Sequence, residues 1–329
     1  MKRLLFPSLF AALILFSFSC NKSLNVNADW KDVTVVYGLL DQTEGIHYVK
    51  ITKAFLGPGN ALEFAQIPDS SNYLQNLEVT LQEYYGSTLL RTIALHDTMI
   101  QNKDSGVFYF PVQKVYYTGA RLSDSMKYNL VIMNTVTRKV IEGSTTMVRD
   151  FDIDKPTIYT RANFQSGKNT EVKWISAAGG KRYQLTVRIR YAETVIGNPA
   201  STVTKSLDWI ALSGITSLTD KGGQDMTYDI PGDAFYLFMG AHIPVDPNVS
   251  RALRDCDFIF TVGSEDLNTY IEVNAPSMTI IQEKPAFSDI TNGIGLFTSR
   301  VVKAVDTLRF SDYTIAEIKT NKYTKDLGF

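Results

Sequence analysis

The residues YQLTVRIRY at positions 183–191 alternate between apolar and polar side chains without interruption. Tyr, Leu, Val and Ile occupy every second position, and Gln, Thr and Arg fill the positions between them. Successive side chains of a β-strand point to opposite faces, so this segment would have one apolar and one polar face. Such alternation is typical of an antiparallel strand that packs on a core with one face and meets water with the other.

Similar segments recur along most of the 329-residue chain. LEVTLQEYY at 77–85, YNLVI at 128–132 and CDFIFTV at 256–262 show the same alternation. Further strands are predicted at 33–40, 47–55, 106–110, 138–148 and 295–302. Gly, Asn, Asp and Pro separate these segments, which is the pattern of β-sandwich proteins. We therefore predict a mainly β protein.

Two local patterns indicate an immunoglobulin-like sandwich in each half of the chain. Tyr128 begins an alternating strand six residues after Leu122, which resembles the tyrosine corner of immunoglobulin-like domains. Residues 172–187 resemble the B and C strands of a fibronectin type III domain, with Trp174 as the core tryptophan. Both Tyr128 and Trp174 are therefore expected to be buried, each in its own unit.

The charged segment RDFDIDKP at 149–156 marks the expected boundary, because proline resists continuing a strand and charges favour exposure. We expect an immunoglobulin-like β-sandwich domain at 31–150 and a second β-sandwich-like domain at 156–329. The sequence leaves open which of the two domains residues 285–329 pack against.

Short helices are expected only in the second half of the chain. The segments that follow Asp233, Ser264 and Ser311 carry apolar residues at helical spacing. These three polar residues would accept backbone N–H groups as N-caps. We therefore add a few short helices to the second domain.

The first nineteen residues have the organisation of a secretory signal peptide. A positively charged start precedes an apolar run at 4–18, which is shorter than the ~20 apolar residues of a membrane span. Cys20 follows directly, and this arrangement resembles a bacterial lipoprotein signal. The resemblance implies that residues 1–19 are removed and that Cys20 carries a lipid, with 20–30 as a tether. An ordinary signal peptide followed by a chance cysteine is the alternative.

Charge and cysteine content narrow the expected partners. The formal net charge is −1 and no block of Lys or Arg is present, so nucleic acid is not an expected partner. If Cys20 carries lipid, Cys256 is the only other cysteine, which leaves no internal disulfide. Its place in an alternating strand predicts a buried, unreactive thiol.

No catalytic motif is recognisable, so we expect no catalytic residues and no enzyme activity. The histidines His47, His96 and His242 have no second histidine at metal-ligand spacing, and we expect them at strand edges or in loops. The sequence contains no nucleophile elbow, no phosphate-binding loop and no CxxC pair. A glycosidase pair of carboxylates stays open, because such pairs are brought together by the fold.

Three aspartates form a candidate metal site. Asp150, Asp152 and Asp154 would point the same way in an extended chain. Like charges on one side are favourable when a cation bridges them, and calcium takes six to eight oxygen ligands. Calcium is therefore a candidate cofactor, and a solvated linker without a metal is the alternative; no other cofactor is expected.

Two tyrosine doublets form a candidate binding surface. Tyr84 and Tyr85, and likewise Tyr116 and Tyr117, are neighbours in predicted strands, so one ring of each pair would face away from the core. Exposed rings could stack on a glycan or anchor a protein partner. Ordinary packing across the sheet is the alternative.

Three longer segments stand out: VVYGLLDQTEGIHYVKITKAFLG at 35–57, GVFYFPVQKVYYTGARLSDSMKYNLVI at 106–132 and PAFSDITNGIGLFTSR at 285–300. Together they resemble a family of Bacteroidota lipoproteins whose genes often lie beside those of TonB-dependent outer-membrane receptors. NGIGLF at 292–297 is the most specific part. The resemblance implies a lipid-anchored outer-membrane protein that is accessory to uptake, but no activity and no catalytic residues. Residues 21–24 lack the acidic cluster of many surface-exported lipoproteins, so periplasmic and surface orientations both stay open.

Three functional hypotheses remain. The first is a non-enzymatic accessory or ligand-presenting lipoprotein of a TonB-dependent uptake system, with the receptor or a glycan as partner. The second is a structural or adhesive surface protein, such as a pilus or matrix component. The third is a glycan-active enzyme that uses a carboxylate pair. The sequence does not indicate the oligomeric state.

Overall fold

The computed structural model describes residues 33–54, 61–73, 75–276 and 286–329. The expected signal peptide, tether and Cys20 lie outside the described residues. Within these ranges the protein is mainly β, as predicted, with three sheets and a few short helices. None of the helices in these ranges is both long enough and apolar enough to cross a membrane.

Fifteen strands make up the sheets of the described chain. In chain order they are β1 (Val33–Leu40), β2 (His47–Ala54), β3 (Leu77–Tyr85), β4 (Thr88–Ala94), β5 (His96–Ile100), β6 (Gln113–Thr118), β7 (Lys127–Asn134), β8 (Val140–Thr146), β9 (Ile153–Lys155), β10 (Asn169–Ile175), β11 (Arg182–Val195), β12 (Val203–Thr216), β13 (Asp225–Pro231), β14 (Val249–Gly263) and β15 (Ile294–Arg309). Strands β1 and β3 have the predicted bounds, and buried residues alternate with less buried ones along both.

The helices are short. They are α1 (Ala61–Ala65), α2 (Pro68–Ser71), α3 (Gly232–His242), α4 (Glu265–Asn274) and α5 (Asp312–Glu317), with a 3₁₀ turn at Pro199–Ser201. Ser264 and Ser311 are N-caps as predicted, since each side-chain oxygen accepts a backbone N–H of the first helical turn. Asp233 is not a cap: Pro231 occupies that position, and the Asp233 carboxylate accepts the Gly167 N–H at 2.8 Å instead.

One sheet of eight strands runs through both halves of the chain, and we call it the shared sheet. Its order is β12-β11-β14-β15-β1-β2-β6-β5. A four-stranded sheet, β4-β3-β7-β8, belongs to the first half, and a three-stranded sheet, β13-β10-β9, belongs to the second. The two halves are therefore joined by backbone hydrogen bonds within one sheet.

Strand β15 makes this junction. Its first part pairs in parallel with β1, from Ile294 opposite Val35 onward, and its second part pairs antiparallel with β14. The C-terminal segment therefore packs on both halves, which answers the question that the sequence left open. Gly295 has φ of +127°, and a Cβ there would lie 1.9 Å from the Val36 carbonyl oxygen, so only glycine permits this close pairing.

Two apolar cores pack on the shared sheet. Residues up to Met147 contribute to the first core, together with Ile290 and Phe297 from the C-terminal segment. Residues from Val148 onward form the second core. Tyr128 lies in the first core and Trp174 in the second, and both are fully buried, as predicted.

A tyrosine closes a turn against the backbone in each half. The Tyr128 hydroxyl accepts the Ser123 N–H at 2.8 Å, as expected of a tyrosine corner. The Tyr183 hydroxyl accepts the Ala177 N–H at the same distance, which was not predicted, and its ring packs on Trp174 with centroids 5.7 Å apart. These bonds satisfy buried polar groups that would otherwise be costly.

Two local predictions for the first half were wrong. Residues 106–110 form a loop and not a strand, because their backbone bonds to α1: the Tyr109 N–H donates to the Ala65 carbonyl at 2.9 Å. Helices α1 and α2 were not expected in this half. Pro68 at the start of α2 and the brevity of both helices explain why no helical period was visible in the sequence.

Candidate functional site

The outer face of the shared sheet carries a groove over β1, β2, β6 and the end of β5. Strand alternation directs Val36, Val49 and Tyr116 into the first core and the neighbouring residues outward. The groove has a volume of about 560 Å³. We call it the aromatic groove. The residues that line it include Tyr37, Glu44, Tyr48, Lys50, Asn102 and Gln113.

Two tyrosines give the groove its apolar surfaces. Tyr37 and Tyr48 are each 43% exposed, so their ring faces are accessible to a ligand. Register places Tyr37 opposite Lys50, and Tyr48 opposite Tyr117, whose ring centroid lies 6.3 Å from that of Tyr48. The aromatic surface therefore extends from β1 across β2 to β6.

Helix α4 packs against Tyr37, one of the lining residues of the groove. The Tyr270 ring meets Tyr37 edge to face, with centroids 6.3 Å apart and an interplanar angle of 74°. The Tyr270 hydroxyl donates to the Tyr37 hydroxyl at 3.4 Å. The neighbouring Tyr270 hydroxyl, together with burial, raises the pKa of Tyr37 to about 12, so the hydroxyl keeps its proton at neutral pH.

A line of hydrogen-bonded polar side chains forms the floor. The Lys50 ammonium donates to the Gln113 side-chain oxygen at 2.7 Å, and the Gln113 amide donates to the Asn102 side-chain oxygen at 2.6 Å. Burial, reinforced by the nearby Lys103, lowers the pKa of Lys50. Lys50 uses one of its three N–H donors in this line, and Asn102 only accepts. Both therefore retain N–H groups that can bind a ligand.

The groove contains little acidic chemistry. Among its described lining residues Glu44 is the one carboxylate, and its oxygen accepts from the Arg300 guanidinium at 2.6 Å. Hydrolysis of glycosidic bonds typically uses two carboxyl groups about 5–10 Å apart. The groove does not supply such a pair.

The tyrosine doublets lie on different sheets. Tyr116 is buried in the first core, and Tyr117 is half-buried beside Tyr48 and His96. Tyr84 is half-buried, and Tyr85 is 64% exposed at the end of β3 in the four-stranded sheet. Tyr117 therefore packs beside Tyr48, a lining residue of the aromatic groove, and the outward ring of the other doublet belongs to a separate surface.

The three aspartates do not form a cluster. Asp150 pairs with the Lys303 ammonium at 3.0 Å, and Asp154 lies exposed in the short strand β9. Across the described ranges no group of three His, Cys, Asp or Glu side chains is placed to hold a metal ion. The positive charge of Lys303 lies beside Asp150 and offsets part of the repulsion between the aspartates, which was the role expected of a bound calcium ion.

The three histidines and Cys256 were the other residues considered from the sequence. His47 is buried at the start of β2 and not at a strand edge, and burial lowers its pKa. His96 and His242 are exposed. Cys256 is fully buried in the second core, as expected, where burial raises the pKa of its thiol and disfavours the reactive thiolate.

Sequence reasoning missed most of the groove and one titratable group. Tyr48 could have been assigned to the outer face from the alternation in β2, whereas β1 carries apolar residues on both faces and gives no such signal for Tyr37. Asp289 accepts the Phe297 N–H on both carboxylate oxygens, at 2.9 and 3.0 Å. Burial, and to a lesser extent Asp266, raises the pKa of Asp289 to about 6. The sequence feature that could have drawn attention to Asp289 is its position in the distinctive segment 285–300.

The sequence matches no protein-family model and no curated protein. Among solved structures it is similar to the C-terminal globular domain of an oligosaccharyltransferase from Pyrococcus abyssi, with 11% sequence identity and a TM-score of 0.25. The similarity covers 68% of this chain and 45% of that one, so the chain spans less than half of that structure's length.

Proposed function

We propose that this protein is a non-enzymatic lipoprotein of the cell envelope that binds a glycan in the aromatic groove and presents it to a TonB-dependent outer-membrane receptor. The observation that carries the glycan assignment is the pairing of exposed tyrosine faces with oriented amide and ammonium donors in one groove. The anchor and the receptor rest on the sequence.

Sugars suit this surface because they combine two kinds of contact. A pyranose ring has an apolar C–H face, which can stack on the rings of Tyr37 and Tyr48. Its hydroxyl groups lie at the ring edge, where Lys50 and Asn102 can donate hydrogen bonds. The volume of about 560 Å³ is in the range of small-molecule sites, about 300–1,000 Å³.

The scarcity of carboxylates among the described lining residues of the groove favours binding of a glycan over its hydrolysis. Glu44 is tied to Arg300, and no second carboxylate is among the described lining residues. A bound glycan would therefore be held intact and could be passed on. This is the chemistry expected of an accessory protein for uptake.

Co-purification tests the cellular part of the proposal. The protein would be isolated from detergent-solubilised membranes, and the Cys20→Ser variant would serve as the matched control. We expect a TonB-dependent receptor in the preparation of the unchanged protein, and we expect the variant to leave the membrane fraction because it lacks acyl chains. A polymer ladder of the protein without a receptor would support the adhesive alternative and contradict the proposal.

A further inference from the structure

Three parts of the chain lie together at one end of the shared sheet: the start of β1, the segment that contains α1 and α2, and the loop at 101–112. Val33 pairs with Ala54, so the start of β1 lies beside the end of β2. Ile100 pairs with Gln113, so the loop at 101–112 leaves the sheet at this same end. The bridge between Thr52 and Asn72 brings the segment of α1 and α2 there as well.

The two loops form a single surface. The Tyr109 N–H donates to the Ala65 carbonyl at 2.9 Å, and the Gln66 amide donates to the Gly106 carbonyl at 3.3 Å. This surface carries six exposed large apolar side chains, which we call the apolar end: Leu62, Phe64, Ile67, Val107, Phe108 and Phe110. None of the six belongs to either core.

The apolar end has the composition of a membrane-interface surface. Val107 is 53% exposed and Phe108 is 54% exposed, although both are large and apolar. The Lys103 ammonium lies 5.4 Å from the centre of the Phe108 ring and donates to the Tyr109 carbonyl at 2.8 Å. Aromatic and aliphatic side chains with a lysine beside them suit the boundary between headgroups and acyl chains.

We infer that the apolar end rests in the interface of a phospholipid bilayer. The chain leading back to Cys20 enters at this end, and about 13 residues span at most about 45 Å when fully extended. An anchor at Cys20 therefore keeps this end within about 45 Å of the membrane. Contiguous exposed apolar surface of this kind is uncommon unless something covers it.

This orientation goes beyond the proposed function and has a consequence for it. The aromatic groove includes Asn102 and Gln113, which lie next to the apolar end. The groove would then open close to the membrane surface, where an outer-membrane receptor could accept its ligand.

Tryptophan quenching tests the inference without relying on natural lipidation. The chain from Cys20 onward would be coupled through the Cys20 thiol to a maleimide lipid, since Cys256 is fully buried. The vesicles would be phosphatidylcholine with brominated acyl chains, which quench tryptophan on contact. In a Trp30→Phe background, Phe108→Trp places the reporter at the apolar end, while Trp174 and Trp209 stay buried.

The matched control is Ile46→Trp, because Ile46 is also exposed (45%) but lies in the turn at the opposite end of β1 and β2. We expect brominated lipid to reduce the reporter emission of Phe108→Trp at least twofold and to leave that of Ile46→Trp unchanged. Thermal unfolding of both variants confirms that they are folded. Equal emission changes for the two reporters would overturn the inference.

Discussion

The Tyr270 hydroxyl donates to the Tyr37 hydroxyl at 3.4 Å, across 233 positions of sequence. Helix α4 of the second half thereby contacts a lining residue of a groove that the first half builds. The junction of the two halves at β15 makes this contact possible, since β1 and β14 flank that strand in the shared sheet.

The first prediction concerns this pair. In Tyr270→Phe the neighbouring hydroxyl that raises the pKa of Tyr37 is removed, so this pKa should fall from about 12 toward the ordinary value of ~10 and remain above it because burial persists. Tyrosine-labelled NMR, which resolves individual rings, measures this pKa. The control is Tyr85→Phe, which changes a ring on the four-stranded sheet. An unchanged Tyr37 pKa in Tyr270→Phe would show that the hydroxyl contact is not formed in solution.

The second prediction concerns the corner in the first core. The Tyr128 hydroxyl accepts the Ser123 N–H and donates to the buried Glu83 carboxylate, each at 2.8 Å. Tyr128→Phe leaves both partners with one bond fewer, so the free energy of unfolding should fall by about 1–3 kcal/mol. Urea denaturation measures it. Tyr84→Phe is the control, because the Tyr84 hydroxyl bonds only to a partly exposed glutamine. Equal, small losses in both variants would contradict the role of the corner.

The third prediction concerns Asp289 and pH. Its folded-state pKa of about 6 lies above the ordinary aspartate value of ~3.9. Between these values the folded protein retains a proton that the unfolded chain has released, so stability from this group is full below about pH 4 and declines as the pH rises to about 6. The Asp289→Asn variant carries no charge here at any pH.

Denaturation of both proteins from pH 4 to pH 7 isolates the contribution of Asp289. The free energy of unfolding of the unchanged protein, relative to Asp289→Asn, should fall as the pH rises through this window. A difference that is constant, or that grows with pH, would show that the carboxyl is not destabilised by burial in solution.

Local patterns in the sequence predicted many of the strands but not their arrangement. Strand β3 coincides with the predicted 77–85, because alternation between faces is a property of adjacent residues. The parallel pairing of Ile294 with Val35 joins residues far apart in sequence, and no local period encodes such a contact. The loop at 106–110 has strand-like composition, yet its backbone bonds to α1 and leaves Phe108 exposed.

The candidate site was predictable only in part for the same reason. Alternation predicts that one ring of the Tyr116 and Tyr117 pair points outward, and it would also place Tyr48 on the outer face. The meeting of these rings with Lys50 and Asn102 depends on sheet register and on the loop that follows β5. For Asp150, Asp152 and Asp154 the sequence spacing suited a metal site, but the described structure does not bring the three side chains together in a cluster.

Glycan binding by groove variants tests the central claim most directly. The protein would be run through native gels that each contain one of a panel of polysaccharides, and retardation gives the affinity. Tyr37→Ala with Tyr48→Ala should weaken binding at least tenfold, equivalent to about 1.4 kcal/mol, because the stacking faces are removed. Tyr85→Ala, an exposed tyrosine outside the groove, should bind as the unchanged protein does. Retardation that survives the double substitution, or no retardation of the unchanged protein by any polysaccharide, would contradict the account.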